Sequence, residues 1–337
     1  MPELRKDPVV GRWVIISTDR ALRPSDFAPE SVQLKTTHCV FCEGNEDKTP
    51  PEILVARAPG RPENGPGWTY RVVSNKFPAL RIEGELEPEA EGLFDRMNGV
   101  GAHEVIIETP DHRASLATMP LDAVADVLLA YRERVRDLKK DSRFEYVLVF
   151  KNHGEAAGAS LEHPHSQLIA TPITPIMVTE ELLGSARYFE RKERCVWCDI
   201  LRQERRDRRR AILERDGFSV IMPFAPRFPF ESWLLPSRHR SAFEECELDD
   251  LRALGRVLQE YLRRLNAVLG DPPYNFMLHT APLREPALAH FHWHLEIIPK
   301  LTRVAGFEWG SGFFINSVRP EDAAAALREV ADSAMLY

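Results

Sequence analysis

Between positions 152 and 167 the chain reads Asn-His-Gly-Glu-Ala-Ala-Gly-Ala-Ser-Leu-Glu-His-Pro-His-Ser-Gln, a run of small residues leading into two histidines one residue apart. Gly154, Ala156, Ala157, Gly158, Ala159 and Ser160 let backbone amides and a hydroxyl approach phosphate oxygens closely. An imidazole held in one tautomer is a good nucleophile at neutral pH, and its adduct with phosphorus is a reactive phosphoramidate. This pattern places a phosphoryl or nucleotidyl transfer at His165. Gln167, two residues on, donates an amide N–H to a phosphate oxygen without titrating, so it stabilises charge but protonates a leaving group poorly. A transferase whose leaving group is a sugar phosphate needs little acid help, whereas a hydrolase would more naturally carry a third histidine there.

Four of the five cysteines form two C-x-x-C pairs, Cys39/Cys42 and Cys195/Cys198. Such a pair brings two thiolates to one tetrahedral ion, and two histidines complete a closed site. The expected sets are Cys39, Cys42, His112 and His163 in the first half, and Cys195, Cys198, His239 and His290 in the second. Two structural zinc ions per chain follow, and the first clamps the strand that carries His165. A competing set in the second half, His279, His292 and His294 with Glu180 or Glu181, suits a harder ion. His103 is left over, and its expected role is packing or a hydrogen bond.

These residues recur along the chain. His163 maps onto His290, His112 onto His239 and Pro172 onto Pro299, each 127 residues later, which marks a duplication. The C-x-x-C pairs are offset by 156 instead, so the first half holds about 29 extra residues there, as a surface insertion would. The expected units are 1–175 and 176–337. The second copy of the phosphate-like loop, from Thr280 to Ala289, has two prolines and no glycine, so the reaction belongs to the first half.

Each half must then position its histidines with the same elements. Helical stripes run over Leu121, Val124, Val127, Leu128, Tyr131, Val135 and Leu138, and over Leu248, Leu251, Leu254, Leu258, Leu262 and Leu265. Strands are expected before the helices (105–107 and 233–235), after them (146–150 and 274–278), and over the histidine segments (166–170 and 293–298). This order gives an antiparallel α+β unit, with His163, His165 and Gln167 sharing one face. Residues 59–67 and 83–91 read as loops.

Composition agrees with an ordinary globular protein: 337 residues, 44% hydrophobic and 28% charged. The net charge of -7 argues against a nucleic-acid coat, and no apolar run approaches a membrane span, so neither nucleic acid nor membrane is an expected partner. The basic run from Arg202 to Arg210 reads as a solvated segment. The cysteine pattern is not that of a secreted disulfide framework, and the expected compartment is the cytoplasm.

On the segment from Asn152 to Gln167 the chain resembles the galactose-1-phosphate uridylyltransferase family of the histidine triad superfamily, with Asn-x-Gly, Gly-x-Ser and His-Pro-His-x-Gln at the family's spacing. The resemblance implies a duplicated histidine-triad-like α+β fold, a covalent uridylyl group on His165 in a ping-pong cycle, and UMP passed from UDP-glucose to galactose 1-phosphate. It further implies phosphate contacts from Arg20 and Arg23, nucleoside contact from Asn75, and a phosphate site lined by Asn152, Gly158, Ser160 and Gln167. A nucleotide sugar and a sugar phosphate are then the small-molecule partners, and a homodimer the assembly. Two departures stand out: Ser166 replaces the usual glycine, and residues 304–312 lack the lysine and tyrosine that contact hexose. His-Pro-His-Ser-Gln, the second C-x-x-C and the glycine-rich 304–312 also look like the branch that moves AMP from ADP-glucose to phosphate. A non-catalytic sugar-nucleotide-binding module is the reading from a different class, and it would tolerate losing His165.

Overall fold

Short alternating segments dominate the chain, and in the computed structural model, which describes residues 2–18, 39–285 and 287–330, they form strands of one large sheet. The order begins β1 (Glu3–Lys6), β2 (Trp13–Ile16), β3 (Glu52–Arg57), β4 (Trp68–Ser74), the hairpin β5 (Glu89–Glu91) and β6 (Phe94–Arg96), and β7 (Ala102–Ile107). Then come α1 (Leu121–Leu138), β8 (Tyr146–His153), β9 (His165–Thr171), α2 (Ile176–Lys192), α3 (Val196–Asp207), β10 (Ala211–Arg215), β11 (Phe218–Ile221) and β12 (Ser232–Pro236). The chain continues through α4 (Leu248–Leu269), β13 (Tyr274–His279), β14 (His294–Pro299), α5 (Gly306–Ser311), β15 (Phe314–Asn316) and α6 (Pro320–Arg328).

The main sheet has ten strands in the order β10-β11-β12-β14-β13-β8-β9-β7-β4-β3. Read outward from its middle, each side repeats one pattern: fourth strand, fifth, third, second, first. The two sides meet where β8 and β13 pair antiparallel, Tyr274 opposite His153 and Leu278 opposite Val149. The fold is therefore α+β and internally repeated, as the histidine spacing suggests.

Helices α1 and α4 lie where the two apolar stripes demand. Pro120 opens α1, and α4 is set by a capping box between Glu247 and Asp250 and stopped by Gly270 in the left-handed region at φ 72°. Beyond Leu121 and Leu248, which are exposed at the first turns, both bury their stripes in a shared core with Val72, Ile106, Val149, Leu168, Leu234, Phe276 and Leu278 from the sheet. Along β9, side chains alternate: Ser166, Leu168 and Ala170 are buried towards the helices, while Gln167 and Ile169 on the opposite face are half-buried. On that second face, the first half packs Phe41 against Trp68, Val105 and Ile107, and the second half packs α3 through Trp197 against Trp233.

Three segments differ from expectation. The basic run 202–210, read as solvated, spans the end of α3 and buries Glu204 and Arg210 against each other as an ion pair. The acidic stretch 83–91 ends in strand β5, paired with β6, where alternation is hidden by charge on both faces. The small sheet β1-β2-β15 joins residues near both ends of the chain, a long-range pairing that no local pattern announces.

Candidate active site and metal centres

Residues 39–42 form a tight knuckle. The Cys42 N–H donates to the Cys39 carbonyl at 3.3 Å, the Phe41 N–H points at Cys39 Sγ at 3.4 Å, and the Asn45 side chain holds the Cys39 carbonyl at 2.9 Å. Cys42 Sγ lies 3.4 Å from His112 Nδ1 and 3.6 Å from His163 Nδ1. The donor atoms of Cys39, Cys42, His112 and His163 all fall within 4.8 Å of one another. His163 Nε2 meets the Thr109 carbonyl at 2.7 Å, so its proton is there and Nδ1 keeps a lone pair for an ion. Burial pushes the His163 pKa down to about 4, which keeps it a neutral ligand. This donor set fits a closed zinc site.

The second knuckle corrects one expected ligand. Cys195, Cys198, His239 and His292 come together, with donor atoms inside the same 4.8 Å limit, and His290 is not among them. Cys198 Sγ is 3.5 Å from His239 Nδ1 and 3.6 Å from His292 Nδ1, while His292 Nε2 donates to the Pro236 carbonyl at 3.0 Å. His290 offers its backbone carbonyl to the Cys195 thiol at 3.4 Å, and its ring lies near Phe189. The 127-residue offset holds from His112 to His239 and from Thr109 to Pro236, but the loop before β14 is two residues longer. His163 therefore corresponds to His292, and His165 to His294. Three histidines at alternate positions concealed this slip, since on a continuous strand each would project to the same face.

The harder-ion set does not compete for these residues. Glu181, His279 and His294 form a third group, separate from His292, with His279 Nδ1 2.9 Å from the Glu181 carboxylate and His294 Nε2 3.8 Å from it. Glu180 is not a member of that group. The two nitrogens and a carboxylate fit a borderline or harder divalent ion. Without one, the pair stands as an ion pair: burial lowers the His279 pKa, but Glu181 outweighs it and the net shift is upward.

His165 opens β9 and is 5% exposed. Its Nδ1 lies 2.8 Å from the His163 carbonyl, so Nδ1 carries the proton and Nε2 presents a lone pair. Burial, with Lys151 nearby, lowers its pKa and keeps the ring neutral. The Phe41 ring packs edge-on at 5.4 Å, tying the first knuckle to this imidazole. His294 has the same backbone tether, Nδ1 to the His292 carbonyl at 3.0 Å, but the Trp197 ring covers it at 4.3 Å and α2 brings Glu181 to its Nε2. The second-half imidazole is thus packed under Trp197 and turned to Glu181, whereas that of His165 packs against the edge of Phe41.

The loop before His165 is built for close backbone approach. Gly154 has φ 80°, and a Cβ there would sit 2.8 Å from Pro273 Cβ; Gly158 has φ 89°. Asn152 Nδ2 reaches the Gly158 carbonyl at 3.4 Å, and Asn275 of β13 donates to both Asn152 Oδ1 and the Ala157 carbonyl at 2.8 Å. Gly158 and Ser160 are exposed, and Asn152, Gln167 and Asn75 are half-buried. Asn75 follows β4 and reaches the Gln167 neighbourhood through His103. Arg20 and Arg23 lie outside the described residues.

Sequence reasoning missed a buried network behind His165. Lys151 Nζ donates to the His165 carbonyl at 3.0 Å and to Glu108 Oε2 at 2.8 Å; Ser166 Oγ bonds the other Glu108 oxygen and the Tyr131 hydroxyl. All four side chains are at most 1% exposed. The signal was present: a lysine and a glutamate that directly follow the apolar runs Val147–Phe150 and Val105–Ile107 are costly to bury unless paired.

Comparison with known proteins agrees with this geometry. Residues 1–175 match the family model described as galactose-1-phosphate uridyl transferase, N-terminal domain. An Arabidopsis thaliana ADP-glucose phosphorylase is 40% identical, over 98% of this chain and 93% of that protein. A galactose-1-phosphate uridylyltransferase from Thermotoga maritima is 30% identical, over 98% of each chain. The crystal structure of the Arabidopsis ADP-glucose phosphorylase with bound ADP-glucose superposes with a TM-score of 0.83 at 37% identity, covering 98% of this chain and 99% of that one. The chain belongs to the galactose-1-phosphate uridylyltransferase family, whose members are nucleotidyltransferases.

Proposed function

We infer that the protein transfers a nucleoside monophosphate from a nucleoside-diphosphate glucose through a covalent adduct on His165. The observation that carries this reading is the 2.8 Å bond from His165 Nδ1 to the His163 carbonyl, which leaves Nε2 free at the end of a glycine-containing loop. Nε2 attacks the α-phosphorus, the Nε2–P bond forms, and the bond to the bridging oxygen breaks with its electron pair leaving on glucose 1-phosphate. Nε2 carried no proton, so none has to be removed, and Nδ1–H stays on the His163 carbonyl. An oxygen of the acceptor then attacks phosphorus and releases Nε2. Gln167 serves the phosphate oxygens, with Asn152, Gly158 and Ser160 lining the same site, and Asn75 meets the nucleoside. Zinc bound by each Cys-Cys-His-His group would supply rigidity and no reacting atom.

For the donor, ADP-glucose with inorganic phosphate as acceptor is favoured by the 40% identity to the ADP-glucose phosphorylase and by Ser166, whose hydroxyl is taken into the network with Glu108 and Tyr131. UDP-glucose with galactose 1-phosphate is the second reading, supported by the 30% identity to the uridylyltransferase. Units 1–175 and 176–337, a cytoplasmic setting and a homodimer complete the proposal. Intact-protein mass after brief mixing with each donor, without acceptor, tests it. An added AMP or UMP mapping to His165 is expected and names the base; His165→Gly, compared as folded protein, should form none. No adduct with either donor would sink the covalent reading.

A further inference from the structure

His103, one of the histidines that neither the metal sites nor the transfer absorbs, touches both polar side chains placed around the nucleotide. It sits on β7 diagonally across from Gln167 on β9, whose direct partner is Val105. Its Nδ1 lies 3.1 Å from the Ala79 backbone nitrogen. A backbone amide only donates, so Nδ1 is the acceptor and the ring proton of the neutral imidazole is on Nε2. Nε2 is 2.9 Å from Gln167 Oε1, a donor facing an acceptor. With Oε1 so engaged, the Gln167 –NH2 is the end left for a ligand. Asn75 is oriented by the backbone instead: its Oδ1 takes the Phe77 N–H at 2.9 Å, which leaves its Nδ2–H 3.1 Å from the protonated Nε2, a donor facing a donor that makes no hydrogen bond. Both amides therefore keep their hydrogens for a ligand, and those of Gln167 for the phosphate.

We propose that His103 is a positioning residue that fixes which end of the Gln167 amide faces the transferred phosphate. An unrestrained glutamine can turn over and present its carbonyl oxygen, which repels phosphate oxygens where the amide would attract them. The proposal rests on the nucleotidyl-transfer reading for its kinetic consequence, but the tautomer it needs is observable without turnover.

Two measurements test it. In nitrogen-15 spectra of the full chain, His103 is expected as the Nε2–H tautomer; an Nδ1–H tautomer would overturn the proposal whether or not the protein transfers anything. In single-turnover formation of the His165 adduct, His103→Leu should slow the step by about tenfold, below the 10²–10³ typical of deleting an oxyanion donor outright. His103→Gln, which can accept from Ala79 and donate to Gln167, should restore most of the rate. In a Gln167→Ala background the His103→Leu change should add nothing. A full, additive loss there, or a parental rate in His103→Leu, would refute the assignment. A parental chain that forms no adduct while showing the expected tautomer would instead refute the transfer reading.

Discussion

Lys151 is 1% exposed and Glu108 fully buried; they pair at 2.8 Å, and Lys151 also holds the His165 carbonyl at 3.0 Å. Removing one charge leaves the other stranded, so Lys151→Met is expected to cost about 3–5 kcal/mol in urea unfolding, the usual consequence of breaking a buried pair. Lys151→Met with Glu108→Leu should recover much of that loss; a double variant as unstable as the single would contradict the charge argument. At this scale the sequence was legible where chemistry needs particular types at close spacing. Cys39, Cys42, His112, His163 and His165 stand where their motifs place them. The second metal set was not fully legible, because His290, His292 and His294 present identical alternation and only the loop length decides between them. Counting bound zinc separates them: His292→Ala should lose one ion per chain, and His290→Ala should keep both.

Among the elements, the loop between β8 and β9 depends on a glycine at a particular position. Gly154 needs its positive φ of 80° and the space that a Cβ, 2.8 Å from Pro273 Cβ, would take away. Gly154→Ala is therefore expected to destabilise the protein by about 1–3 kcal/mol, the usual range for a strained backbone. It should also slow adduct formation, because the loop must shift away from Pro273. Thermal unfolding and adduct kinetics on the same preparation check both, and an unchanged pair of values would mean the loop has slack. The helices α1 and α4 and the strands carrying histidines were readable from periodicity alone. The hairpin β5–β6 was not, since charge on both faces removes the alternation that marks a strand.

The whole molecule is held by charged anchors as well as by its core. Glu52 is held down to about 2, first by the Arg57 guanidinium, with burial opposing, and further by the Asn64 amide and Arg71. A depressed folded-state pKa contributes stability above the unfolded value of 4.5 and loses it as pH falls through the folded one. The expected result is that Glu52→Gln narrows the fall in stability between about pH 4.5 and pH 2, measured as the difference from the parent in denaturant melts. A variant whose acid limb parallels the parent's would remove Glu52 from that account. The small sheet β1-β2-β15 belongs to this scale too, and its pairing was invisible because it joins segments about 300 residues apart with no shared periodicity.

The pairing of β8 with β13 carries one more implication. Those two strands occupy equivalent places in the repeated pattern, so the seam through the ten-stranded sheet is a strand meeting its own counterpart. That is the geometry of an isologous dimer. A half-length ancestor with one such edge would have associated with a copy of itself there, and fusing the two copies made the contact permanent. Once fused, the copies no longer had to be alike. One could leave its imidazole free of such a cover while the other packed its own beneath Trp197, a division of labour that a symmetric pair of identical chains could not reach.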